Sequence, residues 1–379
     1  MQTVKIQPNV TFDPSLSPGS AAATANANIA LIKYWGKRDE KLILPYTSSL
    51  SLTLSDLYTK TVVSFSDDFS EDSVTLDGES LLHNSAAFCR VIATLDLVRE
   101  KAGISTKARV VSHNHVPTAA GLASSASGFA ALCAAASCAA GLTLTPRELS
   151  RLARRGSGSA CRSIFGGLVV WHAGVDDETS YAEPLESADS DLANLNFSSS
   201  LAMLVCVVDG SQKPISSREA MRKTVETSPV YMHWVEQSKE DFAQALEAIR
   251  CRDLEKLGEV VERNALGMHE TMRWATPSVN YLTDKTRVVL EAVKNMRDCG
   301  WPVWATMDAG PNVKVLTAAD VADGAIEELR ARVESGLGEL VEQGISGCAD
   351  SGFEKPKFSV ARPGSGVNIS IGLQVGGEL

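Results

Sequence analysis

The segment from Pro117 to Gly128, PTAAGLASSASG, constrains the fold of this chain more than any other. It lies between a predicted strand at residues 108–112 and a predicted helix at residues 125–140. A strand, a tight loop and a helix in this order can direct backbone N–H groups and a helix dipole at one anion. Small side chains let an oxyanion approach the backbone closely. The segment therefore predicts a nucleotide phosphate site, for which the candidate residues are Gly121, Ala123, Ser124, Ser125 and Ser127.

The same segment matches neither of the two best-known phosphate motifs. It lacks the lysine and the spacing of G-x-x-x-x-G-K-[ST], and G-x-G-x-x-G is absent from it. The alternative interpretation is a helix of small residues packed tightly against a sheet. The serine hydroxyls at positions 124, 125 and 127 favour a ligand, either the phosphate or a metal ion that accompanies it.

The composition is that of an ordinary globular protein with a marked acidic balance. The chain has 379 residues, 44% hydrophobic and 22% charged, which is enough for two domains. The formal net charge of −10 argues against a general binder of nucleic acids or anionic membranes. A polyanionic ligand would therefore need a local basic pocket.

The cysteines and the N-terminus indicate a location in the cytoplasm. The eight cysteines include no C-x-x-C pair, which predicts reduced and mostly buried thiols rather than a zinc site. Residues 1–20 lack an apolar signal core and carry one basic residue, Lys5, so we expect a flexible tail there and no targeting signal. No apolar run reaches the length of a membrane span.

The hydrophobic patterns predict two α+β domains. The first covers residues 21–190 and the second residues 191–379, with an acidic, polar stretch at 174–198 as the best candidate for a linker. Strands are expected at 28–32, 49–54 and 60–65, and an amphipathic helix at 84–101 that ends at Gly103. Thr145 and Glu148 predict a capping box on a short helix.

Four polar segments outside the small-residue loop are candidates for ligand contacts. Each also has a purely structural interpretation: a solvated basic turn, a flexible helix exit, a helix N-cap with a surface arginine, and an aspartate that organises a turn. Cations, hydroxyls and a carboxylate at the end of an apolar strand are nevertheless the groups that bind and activate phosphorylated substrates. The segments are Lys33–Arg38, Arg154–Arg162, Ser216–Arg218 and Asp308–Asn312.

Taken in order, these segments resemble the mevalonate diphosphate decarboxylases of the GHMP kinase superfamily. The resemblance spans about residues 25–375. The segments NIALIKYWGKRD and GSGSACRS are specific to the decarboxylase branch, whereas PTAAGLASSASG indicates only the superfamily. The segments that carry the resemblance are NIALIKYWGKRD at 28–39, PTAAGLASSASG at 117–128, GSGSACRS at 156–163, SSR at 216–218 and MDAGPN at 307–312.

The resemblance implies a fold and an activity. The fold would be a ribosomal-protein-like α/β domain followed by a ferredoxin-like α+β domain, with the site between them. The activity would be ATP- and Mg²⁺-dependent conversion of mevalonate 5-diphosphate to isopentenyl diphosphate, ADP, phosphate and CO₂ in isoprenoid and sterol biosynthesis. Transient phosphorylation of the 3-hydroxyl would precede loss of CO₂, and the enzyme would be a homodimer.

The resemblance also implies roles for particular residues. Asp308 would accept the hydroxyl proton, Arg162 would bind the substrate carboxylate, and Lys33 would lie near the transferred phosphate. Tyr34, Lys37, Ser217 and Arg218 would hold the diphosphate, while Asn28, Ser157 and Ser159 would be further polar contacts. Ser124 and Ser125 would belong to the ATP loop and contact phosphate or Mg²⁺.

Two departures from the family pattern and three alternative functions stay open at this stage. The chain has Asn26-Ala27-Asn28 where a proline is usual, and Thr47 where an asparagine is common. The alternatives are a mevalonate 3-kinase, a phosphomevalonate decarboxylase, and a ligand sensor without catalysis on the same fold.

Overall fold

The computed structural model describes residues 9–17, 19–115, 124–185, 196–209, 215–342 and 355–372. The strands are β1 Asn9–Phe12, β2 Ser20–Ile32, β3 Lys37–Asp39, β4 Leu44–Pro45, β5 Ser49–Ser66, β6 Ser73–Leu76, β7 Glu79–Ser80, β8 Lys107–His115, β9 Leu168–Trp171, β10 Ala182–Pro184, β11 Leu201–Val207, β12 Val303–Thr306, β13 Val313–Ala318, β14 Lys357–Ala361 and β15 Asn368–Ile371. The helices are α1 Ala86–Ala102, α2 Ser124–Ala139, α3 Pro146–Gly156, α4 Ser217–Thr227, α5 Tyr231–Arg250, α6 Leu254–Arg273, α7 Asp284–Asp298 and α8 Ala322–Glu342, with 3₁₀ helices at Gly158–Ile164 and Phe197–Ser200.

The first sheet is built on the long antiparallel pair β2 and β5. Its order is β1-β15-β2-β5-β8-β6-β7, and β9 pairs with the first part of β5 and with β10. Two strands predicted at 49–54 and 60–65 are one strand, β5, because the ladder continues across a register shift that accommodates Asp56 at φ 63°. Helices α1, α2 and α3 share one apolar core with this sheet.

Local signals account for the ends of the helices in this half. Ser85 caps α1 by accepting a hydrogen bond from the backbone of Phe88, and Gly103 ends it in the left-handed conformation at φ 67°. Thr145 and Glu148 form the predicted capping box at the start of α3. Six of the 16 residues of α2 are buried alanines, as expected of a helix of small residues packed closely on a sheet.

The second sheet is antiparallel, in the order β12-β13-β11-β14. One face packs on α7 and α8. The other face joins α5, α6 and apolar residues of β2, β5 and β9 in a core that both halves of the chain share. The α+β class is confirmed. Pro229 lies between α4, which ends at Thr227, and α5, which begins at Tyr231.

Both chain ends of the described structure belong to the first sheet. Strand β15 pairs antiparallel with β2, and β1 pairs parallel with β15. The expectation of a tail through residue 20 is therefore wrong for residues 9–12, since pairing with β15 supplies their backbone hydrogen bonds. Strand β15, near the end of the described residues, also pairs with the first half of the chain. A division into two domains at residue 190 does not include this pairing. That boundary lies outside the described residues and stays a prediction.

Two further sequence expectations hold only in part. The acidic stretch predicted as a linker includes β10, which pairs with β9, so its first part belongs to the first sheet. Among the described cysteines, Cys89, Cys251 and Cys299 are exposed, so the expectation of mostly buried thiols holds only in part. In the described ranges, no helix combines the length and apolar character needed to cross a bilayer.

Candidate active site

A cavity of about 490 Å³ lies where the two halves of the chain meet. Its walls come from the end of β2 and the turn after it, from the first 3₁₀ helix, from the start of α4 and from the turn after β12. The structure brings together most of the residues that the sequence singled out. The predicted residues in the lining are Asn28, Lys33, Tyr34, Lys37, Ser125, Ser157, Ser159, Arg162, Ser217, Arg218 and Asp308.

Asp308 and Lys33 form the centre of the cavity. Asp308 follows β12, and its Oδ1 lies 3.1 Å from Nζ of Lys33, which also donates to the carbonyl of Ala30 at 2.8 Å. The Lys33 side chain is buried, whereas the Asp308 side chain is 25% exposed. Burial lowers the pKa of Lys33, and the Asp308 carboxylate opposes that shift. A carboxylate beside a buried ammonium group and open to a cavity is suited to accept a proton from a bound ligand.

A second buried lysine, Lys314, lies on the other side of the same carboxylate. Its Nζ is 3.8 Å from Oδ2 of Asp308, and the side chain is 1% exposed. Its sequence pattern did not indicate a site residue, because Lys314 lies inside the apolar strand β13. A lysine in a run of valine and leucine, immediately after the MDAGPN turn, was the available signal.

Helix α6 supports the Asp308–Lys33 pair from behind. Asn264 accepts a hydrogen bond from the backbone N–H of Lys33 at 2.8 Å, and its amide donates to the buried carboxylate of Asp241 at 2.9 Å. His269 Nε2 donates to the backbone carbonyl of Asp308 at 2.8 Å. Asn264 lies 231 positions after Lys33, and all of these supporting residues lie within helices. No contiguous motif therefore indicated them.

Arg162 is held in place by neutral oxygen acceptors. Its Nε donates to Asn28 Oδ1 at 3.0 Å and its Nη1 donates to Ser49 Oγ at 2.8 Å, while the side chain is buried. Asn28 is itself fixed through hydrogen bonds to Ser159 and Ser163. Burial lowers the pKa of Arg162, but a guanidinium group stays charged in proteins. A buried cation with neutral partners is a strong site for an anion.

The other end of the cavity carries further cations and a helix N-terminus. Ser217 and Arg218 begin α4, where Ser216 is the N-cap, and Lys37 reaches the same cavity while pairing with Glu40 at 2.6 Å. Arg90 of α1 also lines the cavity and was not predicted. Among the described lining residues, five basic side chains face one acidic side chain, Asp308. The local basic pocket expected for a polyanionic ligand is therefore present in an acidic protein.

Tyr34 forms a wall whose position depends on Gly158. Its ring packs on Trp171 with centroids 4.6 Å apart, and a Cβ at position 158 would lie 2.8 Å from the tyrosine ring and 2.9 Å from its hydroxyl. Burial and the Glu40 carboxylate raise the pKa of Tyr34, so the hydroxyl is neutral and can donate a hydrogen bond.

Replacing Gly158 with alanine is expected to displace Tyr34 and lower kcat/KM about 10-fold or more, because a misplaced wall misaligns the ligand. Gly338→Ala is the matched control, since a Cβ there meets nothing within 4 Å on an exposed face of α8. The control should keep native kinetics and gain stability by up to about 1 kcal/mol. Unchanged steady-state kinetics in Gly158→Ala would contradict this role of Tyr34.

The small-residue loop is only partly described. Gly121 and Ala123 lie outside the described residues, as does the side chain of Ser124. Ser125 lines the cavity, with its hydroxyl 3.5 Å from that of Ser157. Ser127 is fully buried and its hydroxyl is 2.8 Å from that of Thr59. That contact places Ser127 in the packing of α2 on the sheet rather than in the lining, so its predicted ligand contact stays a prediction.

A smaller, mainly apolar cavity of about 140 Å³ adjoins the first one. It lies between α1, α2 and the sheet, and it shares Arg90 and Ser125 with the larger cavity. The Arg90 guanidinium lies 5.5 Å from the centre of the Phe129 ring. An apolar pocket next to a cationic cavity suits a ligand with an aromatic part and an anionic part.

Comparisons with known proteins agree with this geometry. The family model of the diphosphomevalonate decarboxylase-like N-terminal domain matches residues 25–182, and that of the mevalonate 5-diphosphate decarboxylase C-terminal domain matches residues 203–346. A diphosphomevalonate decarboxylase of Gibberella zeae is 36% identical, and the alignment covers 94% of this chain and 96% of that protein.

Solved structures show the same relationship in three dimensions. The mevalonate diphosphate decarboxylase of Staphylococcus aureus is 41% identical, with a TM-score of 0.80 over 92% of this chain and 97% of that one. A structure described as MDDEF in complex with MVAPP, AMPPCP and magnesium is 43% identical, with a TM-score of 0.80 over 92% and 98%. The two domain matches, together with the relative at 36% identity over most of both chains, show that this chain belongs to the diphosphomevalonate decarboxylase family.

Proposed function

We propose that this protein is an ATP-dependent decarboxylase that converts mevalonate 5-diphosphate to isopentenyl diphosphate, ADP, phosphate and CO₂. The observation that carries the proposal is the pairing of Asp308 with Lys33 in the cavity that Arg162 also lines. This arrangement supplies a proton acceptor and two separate anion sites, which phosphorylation and decarboxylation of one substrate both need. The reaction belongs to the mevalonate pathway of isoprenoid and sterol biosynthesis.

Asp308 begins the first step. The 3-hydroxyl of the substrate attacks the γ-phosphorus of ATP while its proton moves to the Asp308 carboxylate, and ADP leaves. Lys33, 3.1 Å from that carboxylate, lies where it can stabilise the charge of the transferred phosphoryl group. The step forms one O–P bond and breaks one, and Asp308 holds the proton that the hydroxyl loses.

Arg162 serves the second step by orientation. The bond between the carboxylate carbon and C2 of the substrate breaks, its electron pair forms the C2–C3 double bond, and the 3-phosphate departs with the electrons of the C3–O bond. Arg162 is fixed by Asn28 and Ser49, so it would hold the carboxylate in line with the leaving phosphate. CO₂ leaves without a proton transfer at this stage.

The cationic end of the cavity would bind the 5-diphosphate. Lys37, Arg218 and the N-terminus of α4 at Ser217 supply positive charge and N–H donors, and Tyr34 supplies a neutral hydroxyl. Ser157, Ser159 and Asn28 also line the cavity and would supply further polar contacts. Two phosphate groups are better matched than one to this number of cations.

The neighbouring apolar cavity and the small-residue loop would bind the nucleotide. The complex described with AMPPCP and magnesium supports ATP and Mg²⁺ as requirements. Mg²⁺ prefers oxygen ligands and keeps several waters when it binds substrate phosphates. The Ser125 hydroxyl at the cavity edge fits that preference, and we place Ser124, Gly121, Ala123 and Ser127 in the same loop site. The ion would neutralise phosphate charge during the transfer.

We also infer a homodimer in the cytoplasm. The antiparallel packing of α5 and α6 places Met232, at the start of α5, at the same end as Trp274, which follows α6, and both are more than half exposed. These two side chains would supply apolar contacts in such a dimer. Seven cysteines in the described ranges are unpaired thiols, the state that a reducing compartment maintains. Light scattering of the purified protein tests the dimer directly.

One incubation tests the proposed activity. The protein is mixed with Mg-ATP and carboxyl-labelled mevalonate diphosphate, and released CO₂ and ADP are counted together. Equal amounts of both are expected. ADP without CO₂ would identify a 3-kinase. If neither ADP nor CO₂ were released, that result would contradict enzymatic function with this substrate. A parallel incubation with the monophosphate is expected to be much slower; an equal rate would indicate a phosphomevalonate decarboxylase.

A further inference from the structure

Lys314 is a buried cation that the proposed chemistry does not yet use. It lies on β13 opposite Thr306 of β12, so the tight β12–β13 connection brings it next to Asp308. Its Nζ is 3.8 Å from Oδ2 of Asp308, whereas Nζ of Lys33 is 3.1 Å from Oδ1. Lys33 lines the cavity, but Lys314 is not part of its lining. The carboxylate therefore has one ammonium group on its substrate side and another beneath it.

The position of Lys314 is costly for the fold. On β13 its side chain points the same way as that of Leu316, which is buried in the core shared by the two halves. Burial lowers the pKa of Lys314, and the Asp308 carboxylate opposes that shift. Replacing buried charges with apolar side chains of similar volume is often neutral or stabilising. A lysine here therefore points to a role other than stability.

We propose that Lys314 is a positioning residue that, together with Lys33, holds the Asp308 carboxylate by both of its oxygens. With each oxygen beside an ammonium group, the carboxylate keeps one orientation about its Cβ–Cγ bond and stays ionised. Oδ1 then remains beside Lys33, facing the cavity where the substrate hydroxyl would lie. This inference rests on the proposed function, because it assigns Asp308 as the proton acceptor.

The charged groups around Asp308 determine the expected pH dependence. Lys33 faces it from the turn after β2, Lys314 from β13 and Arg162 from the first 3₁₀ helix, while His269 of α6 contacts its backbone carbonyl. Removing the Lys314 ammonium group favours the protonated form of the Asp308 carboxyl group. As the pH falls, kcat should therefore decline at a higher pH in the variant than in the native protein.

The test compares Lys314→Met with Leu316→Met, a volume-conserving change on the same face of the same strand. In Lys314→Met we expect kcat to fall about 10- to 100-fold, as misorientation of a catalytic group does. The KM values for ATP and mevalonate diphosphate should stay within about threefold, and the acidic limb of the kcat profile should move to higher pH. The unfolding midpoint should equal or exceed that of the native protein. Leu316→Met should keep native kinetics.

Lys314→Arg separates charge from packing. It keeps the cation, so its acidic limb should lie closer to the native position than that of Lys314→Met. A kcat within twofold of native and an unshifted acidic limb in Lys314→Met would overturn the inference while leaving the proposed function intact. A lower unfolding midpoint with kcat and both KM values impaired together would also overturn it, as a structural role predicts. If the native protein releases neither ADP nor CO₂, the proposed function fails, and the inference fails with it.

Discussion

Replacing Asp308 with alanine is expected to lower kcat on the order of 10²- to 10⁴-fold, the usual contribution of a positioned general base. That loss corresponds to about 3–5 kcal/mol of transition-state stabilisation. The carboxylate lies beside Lys33 in the cavity and is the proposed proton acceptor for the 3-hydroxyl. Because the nucleotide would bind at the small-residue loop and the neighbouring apolar cavity, the Kd for ATP should change little.

Asp308→Asn is the informative companion variant. It preserves the shape of the side chain but cannot accept the proton in the same way, so its kcat should be nearly as low. Both variants remove the counter-charge of the buried Lys33 and Lys314, so unfolding midpoints must be recorded and assays run well below them. Asp323→Asn is the control, since this carboxylate is 82% exposed and pairs with Arg362 on the surface. Near-native turnover by Asp308→Ala would remove Asp308 from the mechanism.

Replacing Arg162 with glutamine is expected to lower kcat/KM about 100-fold, because the substrate carboxylate loses the cation that aligns it. If phosphorylation still proceeds when the carboxylate is misaligned, the rate of CO₂ release should fall more than the rate of ADP release. Counting both products in one incubation distinguishes these steps. A kcat/KM within about twofold of native, a small transition-state effect, would show that Arg162 does not hold the carboxylate.

The local structure around Arg162 sets the controls for that experiment. Arg162 donates to Asn28 and Ser49, so glutamine leaves acceptors that lose their donors, at a cost of about 1–3 kcal/mol in stability. Arg162→Lys keeps the charge but not the planar fork, and it should remain impaired. Arg330→Gln, on the partly exposed face of α8, should have native kinetics. Together the variants separate charge, geometry and general loss of arginine.

The chemistry of the site could be read from contiguous segments because each one joins an element end to polar groups. Lys33, Arg162 and Asp308 all lie in short motifs that leave a strand or follow a helix, and the structure brings them to one cavity. Arg90 could not be found in this way, since on a helix it is one more charged residue. Lys314 was concealed by the apolar strand around it, and its function depends on the neighbour that the β12–β13 connection brings near.

The support of the site depends on distances that sequence patterns do not contain. Asn264 holds the backbone of Lys33, and Asp241 in turn holds Asn264, through contacts between helices and a strand far apart in the chain. A buried asparagine in an amphipathic helix has no distinctive spacing. The hydroxyl of Ser127 contacts Thr59, a partner far away in the chain that its motif did not indicate.

The amino-acid sequence by itself determined the α+β class, the first three helices with the stop at Gly103 and the capping box at Thr145, and the charged groups of the cavity other than Arg90. It could do so because periodicity, capping and motif chemistry are local properties of the chain. The tertiary structure alone decided that β15 returns to the first sheet, that β5 is continuous, and that Lys33 and Lys314 share one carboxylate. These features arise from pairing and packing between distant residues. Their free energy depends on which groups meet in space rather than on how those groups are spaced along the chain.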